Sequence, residues 1–265
     1  MTPGLSIRPH SSSDYRALPK QMRWISETDQ GFVDGIGAIL VEHGMQERFA
    51  VSFLHRHFEY YDDELCFVTF DPGERSLTIS PMPCCNLDGQ SITAISCRFV
   101  EGSGDDPLNL IGLEYASLSD LGDVAPISEH DSDCLRAIYR FLVRNNVVNM
   151  FGLSLRYVDT HENDDLDWME DSFPEHRISV RKLMNCHQLS NEHFGASVWV
   201  WSAGRSARAA IGCTETGMTQ DPEPDDGRLT PKVYCDRGRF HDPDPQDDSD
   251  DSKHQEQGDE SSSQG

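Results

Sequence analysis

The sequence predicts an α+β fold: a largely antiparallel sheet packed by two main helices, followed by a disordered acidic C-terminal tail. Three observations lead there. Helical three- and four-residue apolar spacing occurs in two clear segments, apolar strand-like runs fill the stretches between and after them, and no regular strand-helix-strand alternation links them. Beyond about residue 218 the apolar runs stop.

The first helix is marked by Phe32, Ile36, Ile39, Leu40 and His43, with Thr28 or Asp29 as its cap and Gly44 as its stop. A strand over residues 48–58 follows. The sequence Glu59-Tyr-Tyr-Asp-Asp63 then turns the chain into a strand over 64–70, so the two read as a β-hairpin. Pro72-Gly73 makes the next turn, and residues 76–80, 91–100 and 108–115 continue what reads as an antiparallel meander. The second helix begins at an Asp131/Ser132 cap and carries one apolar stripe of Leu135, Ile138, Tyr139, Leu142, Val143 and Val147. Its Arg136, Arg140 and Arg144 are expected on a solvated face. Residues 151–158, 176–184 and 196–201 read as further strands, with 159–171 as an acidic loop. That loop lacks the central glycine and the flanking helix pair of a calcium-binding EF-hand, so it reads as solvated. Trp199 and Trp201 share one strand face, as core or sheet-to-helix contacts, or as the wall of a ligand groove.

These elements divide the 265 residues into a flexible segment over 1–25, one α+β domain over 26–218, and the tail over 219–265. From residue 221 onward there are 14 acidic and 5 basic side chains with almost no aliphatic ones, too little apolar surface to offset the entropy of ordering. Of the net charge of -24, the remaining -15 lies on the body. A surface this negative repels phosphate backbones and anionic headgroups, so neither nucleic acid nor membrane is an expected partner. The Arg237-Gly-Arg-Phe240 fragment, flanked by acids, reads as tail. No run of about 18 apolar residues and no secretory leader is evident, and the expected location is cytoplasmic.

All eight cysteines are expected to be reduced thiols, several of them packing as small hydrophobes. Cys84-Cys85 sits in a loop with no nearby activating base. Cys186-His187 with His193 lacks the second cysteine pair of a zinc finger.

The chemistry concentrates in His55 and His57. One strand repeat apart, they share a face with Phe49, Val51 and Phe53, so an apolar stripe ends in two convergent imidazoles. His43, on the apolar stripe of the first helix, is expected to approach them. Two imidazoles suit a transition metal only with a third ligand, for which His43, Glu59, Glu64 and Cys66 are candidates. His-x-His opens the cupin metal motif as well, but the later glutamate, glycine and histidine of that motif are not in place. No cofactor is implied. The remaining readings are a tentative ligand-binding or acid/base site of His55, His57 and His43, or a structural pair hydrogen-bonded at a strand end.

The phrase Glu42-His-Gly-Met-Gln-Glu-Arg-Phe-Ala-Val-Ser-Phe-Leu-His-Arg-His-Phe58 resembles one found in uncharacterised proteins of filamentous fungi, where Leu-His-Arg/Lys-His-Phe follows a short helix. The resemblance covers about thirty residues. It implies a fungal source and joins helix, strand and histidines into one unit, without implying an activity. No Ser/His/Asp order, phosphate-cradling loop or dinucleotide fingerprint is present. The expected function is therefore non-catalytic binding or interaction, with a protein partner or a small-molecule ligand. The alternative is an accessory enzyme of fungal metabolism that uses the His55/His57 pair on a small molecule.

Overall fold

The computed structural model describes residues 5–20, 25–100, 108–156, 166–185, 194–201 and 208–214. The acidic tail, most of the 159–171 loop, and Cys186, His187 and His193 lie outside them.

Among the described residues the fold is α+β, with a large, mostly antiparallel, curled sheet and three α-helices. In chain order the elements are β1 (Leu5–Pro9), α1 (Ser12–Arg16), α2 (Glu27–Glu42), β2 (Phe49–Phe53), β3 (Glu64–Asp71), β4 (Ser76–Pro83), β5 (Ile92–Phe99) and β6 (Leu108–Ser117). Then come α3 (Ser132–Arg144), β7 (Phe151–Leu155), β8 (Leu166–Phe173), β9 (Ile178–Asn185), β10 (Phe194–Val200) and β11 (Arg208–Thr214). The strand order β6-β3-β4-β9-β8-β11-β10-β2-β7-β5 returns to β6 through the β5–β6 pairing. The sheet thus closes on itself as a barrel, which removes the free edges an open sheet would present. Pairings β1–β6, β3–β6 and β8–β11 are parallel, and the others are antiparallel.

Two expectations change here. Residues 48–58 and 64–70 do not form a hairpin: β2 lies between β7 and β10, and β3 between β4 and β6. The strand ends at Phe53 because the next amides bond elsewhere, Leu54 N–H to the Met150 carbonyl at 2.8 Å and Arg56 N–H to that of Pro19 at 2.9 Å. The 1–25 segment also contributes to the fold across its described residues. β1 lies along β6, α1 opens with a Ser11/Asp14 capping box, and Tyr15 and Leu18 are buried in the main core.

Helix α2 starts earlier than its apolar spacing suggests. Ser26 is the cap and Asp29 is its capping-box partner three residues on, with Ser26 N–H donating to Asp29 Oδ2 at 2.9 Å. It stops at Gly44, whose φ of 68° lets Met45 N–H reach the Leu40 carbonyl at 2.8 Å. In α3, Leu135, Ile138 and Leu142 are buried, while Val143 is exposed and Arg136 half-buried.

Both helices cover the outer face of β2, β7 and β5. Phe32 packs edge-on to Phe151, Tyr139 stacks on Phe99, and Phe141 and Trp201 lie where Gly35 and Gly37 leave room. All five residues of β2 are buried, with helices on one side and the barrel interior on the other. A Cβ on Gly37 would fall within the Trp201 indole. Gly37→Ala is therefore expected to destabilise by about 1–3 kcal/mol through overpacking, and a denaturant melt reads this directly. Among the described residues no helix is long and apolar enough to cross a membrane.

Candidate functional site

The inner face of the barrel carries charged and hydroxyl side chains among apolar ones. Alternation on β8 puts Trp168, Glu170 and Ser172 on one side, and the β8–β9 register sets them opposite Leu183, Arg181 and Ser179. On the far wall Ser96 of β5 is registered against both Ser154 of β7 and Glu114 of β6. Ser52 of β2 hydrogen-bonds to Ser154, Oγ to Oγ at 2.6 Å. Of these, Glu170, Arg181, Ser96, Glu114, Ser154 and Ser52, with Ser197 of β10, line a cavity of about 60 Å³. Tyr15, Leu18 and Phe58 line it too, as do Ile79 and Leu113.

His55 and His57 reach this cavity from the segment after β2, their rings edge-to-face with centroids 4.5 Å apart. They are brought together as the sequence suggests, but not by strand alternation on the Phe49/Val51/Phe53 face. Phe49 and Val51 serve the main core, while the imidazoles join the interior shared with Ser52 and Phe53. His43 does not approach them, because it is the exposed C-terminal cap of α2. Of the suggested third ligands, Glu64 pairs with Arg177, Glu59 with Arg56, and Cys66 is a buried thiol. Among the described residues no three His, Cys, Asp or Glu side chains gather as a metal-ligand set.

The histidines have distinct roles. His55 Nδ1 lies 2.9 Å from the Phe53 carbonyl, which can only accept, so Nδ1 carries a proton. Burial pushes this imidazole below its ordinary value, against a smaller opposing pull from Glu170, and the neutral ring keeps its lone pair on Nε2. His57 is held at both nitrogens, with Nε2 3.0 Å from Glu170 Oε1 and Nδ1 2.6 Å from Ser172 Oγ. Ser172 is itself 2.9 Å from Ser179 Oγ. Carboxylate, imidazole and hydroxyl in line resemble a nucleophilic triad. Ser172, however, is not among the residues lining the cavity, so its hydroxyl orients the ring.

Glu170 is the residue sequence reasoning missed, hidden in what read as an acidic loop. It is 1% exposed, with Oε2 2.9 Å from Arg181 Nε. Burial opposes its charge, but Arg181 and then His57 outweigh that and hold the carboxyl well below the usual range. Arg181 Nη2 also donates to Glu114 Oε1 at 2.7 Å, so one guanidinium bridges two carboxylates. The available signal was a lone charge in one apolar strand, Glu114 after Leu-Ile-Gly-Leu; Glu170 and Arg181 each adjoin a second charge, Asp171 and Lys182, which masks them.

These shifts set an acid response. His55 titrates lower in the folded chain than unfolded, so its contribution is complete above about pH 6.5 and declines as pH falls below that. Glu170 is likewise depressed, and its contribution is present above about pH 4.5 and lost on further acidification. Urea midpoints measured from pH 8 to pH 4 should fall in two stages, and His55→Gln should shrink the upper one, to which His10, also pushed down by burial, adds. A flat wild-type profile down to about pH 5 would rule out the His55 contribution.

Comparison with protein-family models, curated proteins and solved structures finds no match to this chain. Fold and site together define a closed, mostly antiparallel barrel with charged and hydroxyl groups facing an internal cavity.

Proposed function

We propose that this protein binds a small polar molecule inside its barrel without transforming it. The supporting observation is the concentration of hydrogen-bonding groups around one cavity in an otherwise apolar fold. Burying two carboxylates, a guanidinium, two imidazoles and several serines costs stability that an apolar interior would not cost. At roughly 10–15 Å³ of such volume per water, the cavity takes about four to six waters or a ligand with a similar number of non-hydrogen atoms.

A second reading keeps the same site and adds chemistry. His57 between Glu170 and Ser172 has the pairing of a positioned acid/base group, and neutral His55 offers a lone pair beside it. In that case the protein is an accessory enzyme acting on the same class of small molecule. The acidic body and tail, with a net charge of -24, favour a basic protein as any macromolecular partner.

The test is thermal stabilisation by a panel of water-soluble compounds of four to six non-hydrogen atoms at millimolar concentration. A true ligand at a hundred times its Kd stabilises by about 2.7 kcal/mol. Ser154→Leu, which fills the cavity, should abolish the shift. Absence of any shift in the wild type across the panel would overturn the proposal.

A further inference from the structure

We infer that the molecule this cavity takes is a small protonated amine, an inference that rests on the cavity being a ligand site. The permanent charges facing the interior are the carboxylates of Glu114 and Glu170 and the guanidinium of Arg181, and Glu170 has a second partner in the His57 imidazole 3.0 Å away, which leaves Glu114 as the carboxylate with a single cationic partner. An anion entering there would meet two carboxylates and a guanidinium already engaged by both.

The hydrogen-bond inventory points the same way. Glu170 has His57 Nε2 3.0 Å from Oε1 and Arg181 Nε 2.9 Å from Oε2. Glu114 is bonded through Oε1 alone among the described residues, which leaves Oε2 as an acceptor on the cavity wall. Independently of that cluster, Ser96 is 6% exposed, and its hydroxyl faces the cavity with no hydrogen-bond partner among the described residues. Buried hydroxyls are ordinarily satisfied, so this one calls for an occupant of the cavity. Ser96 and Glu114 are cross-strand neighbours in the β5–β6 register, so one N–H-rich group can serve both. Opposite them Leu18, Ile79 and Val198 give a short alkyl chain an apolar wall. The overall acidity of the chain draws cations toward it.

The experiment is calorimetric titration of the full chain with three probes of five non-hydrogen atoms each: n-butylammonium, propionamide and propionate. The inference expects n-butylammonium to bind at least tenfold more tightly than propionamide, and propionate not at all. Glu114→Gln, which keeps an oxygen for Arg181, should remove that tenfold preference, and its urea midpoint shows that the variant is folded. Equal binding of amine and amide, or preference for propionate, overturns the amine assignment and leaves the cavity as a binding site. If none of the three binds, the amine assignment falls, and the wider panel decides whether the cavity is a binding site at all. The wild-type comparison decides between these outcomes even if the variant does not fold.

Discussion

Replacing Arg181 with methionine is expected to destabilise the protein by about 3–5 kcal/mol, the cost of leaving buried carboxylates without their cation. The guanidinium holds Glu170 and Glu114 at 2.9 and 2.7 Å, and Glu170 is 1% exposed, so its loss removes the main counter-charge of a buried carboxylate. At about 2–4 °C per kcal/mol for a body of this size, the melting temperature should drop by roughly 10 °C. The informative control is the triple variant Arg181→Met/Glu114→Gln/Glu170→Gln. Removing all three charges should recover most of the stability, because the desolvation penalty disappears along with the attraction. A single variant as stable as wild type would mean that the carboxylates take up protons instead, and the Glu170 assignment would fail.

The second large effect is expected at Asp131. This carboxylate is fully buried at the start of α3 and holds Arg48 through two bonds, Nε to Oδ1 at 2.6 Å and Nη2 to Oδ2 at 2.9 Å. It also accepts the Ser128 amide at 2.8 Å, and Arg48 adds the carbonyls of Ala125 and Pro126, so one side-chain pair fastens the entrance of β2 to the entrance of α3. Asp131→Ala breaks all of this at once and should cost about 3 kcal/mol. Asp131→Asn, which keeps the acceptor geometry on one side, should cost less. Because Arg48 retains partial solvent access, Arg48→Met is expected to be milder than Asp131→Ala, and urea denaturation of the three variants tests that order.

Helices α2 and α3 were legible because each leaves a single apolar stripe and ends at a residue suited to a left-handed cap, Gly44 in α2 and Asn146 in α3, whereas the short α1 fell in what read as a flexible segment. Most strand positions were legible for a similar reason, as apolar runs between turn residues. Pairing was not. β2 is buried on both faces, so its sequence lacks the alternation that would say which side meets the helices, and nothing local shows that its neighbours are β7 and β10. The histidines were recognisable as a pair, yet their geometry depends on a chain bend set by the distant carbonyls of Met150 and Pro19. His43 was misplaced because helical periodicity continues through a terminal residue without revealing that the helix has run out of covering protein. Glu170 and Arg181 were hidden for a physical reason. A charge inside a barrel is specified by partners from other strands, and sequence distance carries no trace of them.

The closure of the barrel has a consequence for how the chain reaches this state. β2 is made early, but both of its neighbours come from far downstream, β7 at residue 151 and β10 at residue 194. Contacts of such long sequence separation slow folding, since loop-closure entropy must be overcome before they form. During synthesis the first half of the barrel emerges with unpaired backbone on β2 and an open edge on β4, which waits for β9. A partly made chain is then a ready template for strand addition by another copy. Growth at lower temperature or with abundant chaperone should therefore raise the soluble yield of this protein more than that of a helical protein of equal size.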